Sequence, residues 1–201
     1  MGRRLRMTIL AAGIGAALGC AARLPAGVQL TPGFASPGTP YGDALRRHTR
    51  YAELYNGVDT VAKGWATERT SELRAALAEA SIRAYQLQGE AAETMRQEAR
   101  AASLASRDFH LALYTPKKQW NDLESADSLW RARLERPGGE SETPIEVKAL
   151  AKSDKSPVEY PYVSPWTREY ELRFPSLDDA MGSAPASLVL TGPLGTVRFQ
   201  F

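Results

Sequence analysis

The sequence predicts an α+β fold. It is an antiparallel β-sandwich of about seven or eight short strands, immunoglobulin-like in its layering, with an antiparallel helical hairpin inserted at about residues 70–106. Three observations carry this. Apolar residues alternate with polar ones in short runs from Asp108 to the end of the chain, the period of half-buried strands. Between residues 70 and 106 they recur at spacings of three and four instead, the period of amphipathic helices. Turn residues, Asn56-Gly57 early and Gly192-Pro193-Leu194-Gly195 late, fall between runs that alternate.

Taken in order, the folded body is expected to span residues 41–201 as one domain. Asp43 to His48 suit a short helix. Arg50 to Tyr55 and Val58 to Thr67 read as strands around Asn56-Gly57, the dipeptide best suited to positive φ in a tight turn. The alternative is a single helix from Tyr41 to Tyr55 broken at that dipeptide, which periodicity does not exclude. Leu73, Leu77, Ala80, Ala84 and Leu87 then form one helical face. Glu79 and Arg83 are spaced as an i,i+4 pair, Thr70 or Ser71 can cap the start, and Gln88-Gly89 can end the helix. Glu90 to Ser106 gives a second helix, with a small-residue stripe of Ala92, Met95, Ala99 and Ala102.

The strands follow. Phe109, Leu111 and Leu113 alternate with His110, Ala112 and Tyr114, and Trp130, Ala132 and Leu134 with Arg131, Arg133 and Glu135. Ile145, Val147 and Ala149 alternate with Glu146 and Lys148, and Tyr170, Leu172 and Phe174 with Glu169, Glu171 and Arg173. Ser187 to Leu190 and Thr196 to Phe201 make a final hairpin. Such alternation implies antiparallel sheets with one wet face. The terminal Phe199-Gln200-Phe201 resembles the assembly signal of outer-membrane barrels. A barrel, however, needs at least eight strands of about ten residues with a lipid-facing apolar side, and here the alternate faces are charged.

Chemistry-bearing residues are few. The chain has two histidines, His48 and His110, and one cysteine, too few for an ordinary zinc site without recruited carboxylates. Asp122, Glu124 and Asp127 share a loop but lack the glycine-containing register of a calcium loop, and read as a solvated acidic loop. No nucleophile elbow, phosphate loop, dinucleotide fingerprint or His-Glu-x-x-His occurs. The expectation is no catalytic residue, no metal and no cofactor. The most unusual stretch is Pro157-Val-Glu-Tyr-Pro-Tyr-Val-Ser-Pro-Trp166, and Trp120 follows Lys117-Lys118-Gln119 in another loop. Rigid aromatics give binding surfaces area at low entropy cost, so Tyr160, Tyr162, Trp166 and Trp120 form the candidate binding surface. The bland reading is that these rings close the ends of the sandwich.

The N-terminus carries an address. Arg3, Arg4 and Arg6 precede twelve uncharged residues, Met7 to Leu18, and then Gly19-Cys20. The apolar run is too short to span a bilayer, which takes about 20 residues, and reads as a cleaved signal. Ala17-Leu18-Gly19-Cys20 resembles the lipobox of bacterial lipoprotein precursors. It departs from that pattern in having Ala17 where leucine is commonest. The resemblance implies a signal peptide over 1–19, lipidation of Cys20 and a membrane partner through that lipid, palmitate included. An ordinary secretory signal is the alternative, and it would leave Cys20 a free thiol. Ala21 after the cysteine, rather than Asp, resembles lipoproteins sorted to the outer membrane, facing the periplasm. Residues 20–40, rich in Pro and Gly, read as a tether with an r.m.s. span of roughly 25 Å.

Removing residues 1–19 takes away three arginines and no acid, leaving 22 Lys plus Arg against 23 Asp plus Glu. A near-neutral body argues against a nucleic-acid partner. With its one cysteine at the lipid site the chain has no intramolecular disulfide, and stability rests on a packed core. Tyr55-Asn-Gly-Val58, Leu113-Tyr-Thr-Pro116 before Trp120-Asn-Asp122, and Pro165-Trp-Thr-Arg-Glu-Tyr170 look like uncharacterised Gram-negative envelope lipoproteins, a family that implies no mechanism. Two functional classes follow. One is a non-catalytic envelope lipoprotein that binds or scaffolds an envelope protein or peptidoglycan, with an exposed aromatic patch. The other is an envelope hydrolase acting on cell-wall material, with a pocket where His110 or His48 meets a carboxylate or serine.

Overall fold

Two antiparallel sheets and four α-helices make up the fold, as seen in a computed structural model that describes residues 33–175 and 185–201. The expected signal segment, Cys20 and the tether as far as residue 32 lie outside the described residues. In chain order the elements are α1 (Pro40–Arg47), β1 (Thr49–Asn56), β2 (Asp59–Glu68), α2 (Ser71–Ala84), α3 (Gly89–Ala105), β3 (Ser106–Tyr114), a 3₁₀ turn η1 (Lys118–Trp120), β4 (Arg131–Glu135), β5 (Ser141–Glu142), β6 (Glu146–Ala149), α4 (Ser156–Glu159), β7 (Arg168–Pro175), β8 (Ser187–Gly192) and β9 (Gly195–Gln200). One sheet has the order β1-β2-β3-β7-β6 and the other β5-β4-β8-β9. The layering is that of a sandwich, with a strand order of its own.

The inward positions of both sheets meet in one core. Phe109, Leu111, Leu113, Leu172 and Phe174 come from the five-stranded sheet, and Leu134, Leu188, Leu190, Val197 and Phe199 from the four-stranded one, all essentially buried. Each such side chain contributes about 1.5–3 kcal/mol by leaving water. Along one side β1 meets the end of β9, where Arg50 Nε donates to the Gln200 carbonyl at 2.6 Å and its guanidinium lies 5.4 Å from the Phe201 ring centre.

Turn chemistry sets the register of the first hairpin. Asn56 pairs with Asp59, so the loop is Gly57-Val58, and of these only Gly57 has a positive φ, 63°. That is the pattern of a type II′ turn, with glycine at the first central position, rather than the doubly left-handed turn that Asn-Gly suggests.

The helical hairpin stands between β2 and β3. Thr70 caps α2 by accepting from Leu73 N at 3.2 Å. The helix ends at Gln86 rather than at Gln88-Gly89: Gln86 has φ 51°, Leu87 N donates to the Ile82 carbonyl, and Gln86 N to that of Arg83. This is a Schellman closure with glutamine where glycine is usual. Gly89, φ 57°, instead opens α3. Glu79 pairs with Arg96 across the hairpin at 2.7 Å, not with Arg83, because α3 packs alongside and brings a guanidinium over from the facing helix.

Three further expectations are corrected. The described residues form nine strands, because the two-residue β5 extends the four-stranded sheet where no alternation is legible. Ile145, expected to face inward, is 64% exposed just before β6 begins. The five-stranded sheet is not wet on its outer face at the centre: Asp108, His110 and Ala112 are as buried as Phe109 and Leu111. A second apolar cluster covers that face. It joins Tyr41, Ala44 and Leu45 of α1, Leu73 and Ala80 of α2, and Tyr160, with Phe34 packed against them. Phe34 meets Tyr41 edge-on at 5.3 Å, so the packed body takes in a residue expected in the tether. Among the described residues no helix is long and apolar enough to cross a membrane.

Candidate functional site

The outer face of the five-stranded sheet carries both the buried polar side chains and an exposed aromatic group, and strand alternation explains why. Core-facing Phe109 and Leu111 force His110 outward, just as Leu172 forces Glu171 and Tyr170 forces Glu169. The β3 and β7 registers then set His110 opposite Glu171 and diagonal to Glu169.

Over His110 lies the crossover from β6 to β7. The one-turn α4 and the prolines that flank it lay Tyr160 flat on the imidazole, with ring centres 3.8 Å apart and planes 6° from parallel. Tyr162 reaches His110 Nδ1 at 3.1 Å and Thr67 Oγ1 at 2.5 Å, while His110 Nε2 meets Glu169 Oε2 at 3.0 Å. Thr67 in turn bonds Thr49 at 2.7 Å, and the Tyr41 hydroxyl donates to the Glu159 carbonyl at 2.9 Å. His110 is 3% exposed. Burial lowers its pKa more than the Glu169 hydrogen bond raises it, which keeps the ring neutral at pH 7. Burial works against the charge of Glu169, but hydrogen bonds from His110 and Ser156 outweigh it and hold that carboxyl below its ordinary range.

Beside this clasp, Asp108 takes the Arg74 guanidinium of α2 in a buried ion pair and the Ser106 hydroxyl at 2.6 Å. Arg74 also donates to the Arg69 carbonyl at 2.9 Å. The arrangement is a sealed polar cluster that fastens α2 and the crossover to the sheet.

The four aromatics of the expected binding surface therefore do not form one exposed patch. Tyr160 is 6% exposed and Tyr162 half-buried, both engaged with His110. Trp166, 78% exposed, stands in the turn before β7. Trp120, half-buried on η1, accepts from Trp130 Nε1 through its carbonyl at 2.9 Å and carries the Lys117 ammonium 4.4 Å from its ring centre. Of the acidic loop, Glu124 pairs with Arg168. His48 meets Glu72 at 2.8 Å at the α1–α2 surface. Both histidines thus meet carboxylates, although His110 does so under two tyrosines. A cleft of about 400 Å³ opens elsewhere, with Leu123, Trp130, Ala132 and Val147 among its lining residues.

A second aromatic group escapes a sequence reading. On β1 and β2, Tyr51 faces Trp65 and Glu53 faces Lys63. Tyr51 and Tyr55 are about half exposed, at 48% and 50%, and both hydroxyls donate to Glu53 Oε2, at 2.5 and 3.0 Å. Those bonds hold the Glu53 carboxyl below its ordinary range and push the Tyr51 phenol up to about 12. The signal was present as Tyr51-x-Glu53-x-Tyr55, period two opposite core-facing Ala52 and Leu54, but it serves equally as an ordinary strand pattern.

No family model, no curated protein and no solved structure matches the chain.

Proposed function

We propose that the protein is a lipid-anchored lipoprotein of the bacterial envelope, placed at the outer membrane facing the periplasm, that binds or scaffolds another envelope component and catalyses no reaction. The observation that carries this reading is the N-terminal sequence: Arg3, Arg4 and Arg6, an uncharged run, and the chain's one cysteine at the end of Ala17-Leu18-Gly19. Acyl chains on Cys20 contribute about 0.8 kcal/mol per buried methylene, and more than one chain makes anchoring durable. The partner class is an envelope protein or peptidoglycan. Exposed aromatics, Trp166 among them, support the binding role, and the seal over His110 counts against that histidine as the base of the hydrolytic alternative.

The test compares the full chain with Cys20→Ala in membrane fractionation followed by affinity capture. The account expects the native chain in the membrane fraction with a partner, and the variant released with that partner lost. A native chain that washes free, or identical behaviour of the two, would sink it.

A further inference from the structure

The exposed group on β1, β2 and β3 is organised in rows across the strands. Tyr51 and Trp65 form one, with ring centres 4.8 Å apart, and Trp65 continues to Tyr162, 6.0 Å away and 9° from parallel. Glu53 and Lys63, direct cross-strand partners, form the next, and Lys63 pairs onward with Tyr114 of β3. Tyr55 stands beyond them near the hairpin tip. Along the strand the order is therefore aromatic, charged, aromatic.

Opposite charges directly across an antiparallel pair ordinarily form an ion pair, yet among the described residues Glu53 and Lys63 form none. Glu53 spends Oε2 on the two tyrosine hydroxyls, and the Lys63 ammonium lies 5.1 Å from the Tyr114 ring centre. The outcome is a carboxylate with Oε1 free of any described hydrogen bond, and an ammonium with donors to spare, between aromatic side chains whose hydroxyls are already pinned. A carboxylate oxygen accepts and an ammonium donates, so the middle row can serve a ligand that presents both hydroxyl donors and hydroxyl acceptors. The rings on either side offer apolar area held in place before binding, which lowers the entropy cost of association.

We infer that this face binds an oligosaccharide of β-1,4-linked pyranose rings, with ring C–H faces on Tyr51 and Tyr55, the exposed rings of the group, hydroxyl or acetamido groups on Glu53 and Lys63, and Trp65, between Tyr51 and Tyr162, backing Tyr51. A pyranose with equatorial substituents alternates apolar faces with a polar rim, and the rows alternate in the same way. A protein partner fits less well, because the middle of a protein interface is depleted of charge and here the centre of the group is charged. From Tyr51 to Tyr55 is four residues, roughly 13 Å along a strand, and the two hydroxyls converge on one Glu53 oxygen, which sets the rings on either side of the carboxylate. The inference rests on the binding role proposed above and not on the lipid anchor, so a failure of acylation leaves it standing.

The test titrates the full chain in detergent micelles with two probes, a hexamer of β-1,4-linked N-acetylglucosamine and cellohexaose, following tryptophan fluorescence and calorimetric heat. At least one hexamer is expected to bind, with roughly tenfold weaker affinity in each of Tyr51→Ala and Tyr55→Ala. Glu53→Gln, which alters the charge at nearly constant shape, is expected to weaken binding as well. Unchanged thermal unfolding of these exposed variants confirms that folding is intact. Binding of neither hexamer, or equal binding by the native chain and Tyr51→Ala/Tyr55→Ala, would overturn the inference. Capture of an envelope protein by the native chain but not by that double variant, with both hexamers silent, would reassign the face to a protein.

Discussion

The ring of Tyr160 lies on the imidazole of His110 at 3.8 Å, joining the crossover before β7 to the middle of β3. The contact is apolar on the tyrosine side, since the Tyr160 hydroxyl has no hydrogen-bond partner among the described residues. Removing the ring exposes His110 and opens the second apolar cluster. Tyr160→Ala is expected to cost about 3–5 kcal/mol in urea unfolding, and Tyr160→Phe less than about 1 kcal/mol. Equal costs for the two would mean that the hydroxyl, not the stacked ring, holds the crossover down.

Acid should loosen the same clasp. His110 and Glu169 both have folded-state pKa values below their ordinary ones of 6.5 and 4.5. For each, the unfolded chain takes up its proton at a higher pH than the folded one, so the stability they contribute is complete above pH 6.5. It falls as pH drops below that value, and again below 4.5. Urea midpoints across pH 8 to 4 should be flat at first and then decline, and His110→Gln should flatten the first step. A midpoint that rises on acidification to pH 5.5 would contradict the assignment.

Gln86 carries a left-handed backbone with φ 51° at the end of α2, a conformation that costs a side chain and suits glycine. Gln86→Gly is expected to stabilise the domain by roughly 0.5–1 kcal/mol, read as a rise in the thermal midpoint. Gln86→Val, β-branched, should lower it.

The buried Arg74–Asp108 pair fastens α2 to the sheet. Asp108→Ala leaves a guanidinium that is 8% exposed without its partner, and should cost about 3–5 kcal/mol. Replacing both, Arg74→Met with Asp108→Leu, should cost far less than the sum of the single changes. Simple additivity of the two would show that they are not coupled.

Residues with a repeating burial demand were legible in the sequence. Phe109, Leu111 and Leu113 must face one core, and their period follows whatever else packs nearby. The α2–α3 hairpin was legible for the same reason, while its interhelical pair was not: Glu79 has a plausible local partner in Arg83, and only the packed helices bring Arg96 closer. The clasp was illegible because His110 and Glu169 lie 59 residues apart. Nothing in an aromatic's identity says whether it closes a core, as Tyr160 does, or stands in water, as Trp166 does. The exposed Tyr51 and Tyr55 were hidden by their regularity, since a strand with one wet face asks for residues of this kind at alternate positions.

The mass of the N-terminal peptide of the mature protein, isolated from membranes, tests the anchored lipoprotein most directly. The account predicts a chain that begins at Cys20 and carries acyl chains on that cysteine, with the modification abolished in Cys20→Ala. A peptide that begins elsewhere, or an unmodified Cys20 thiol, would contradict it.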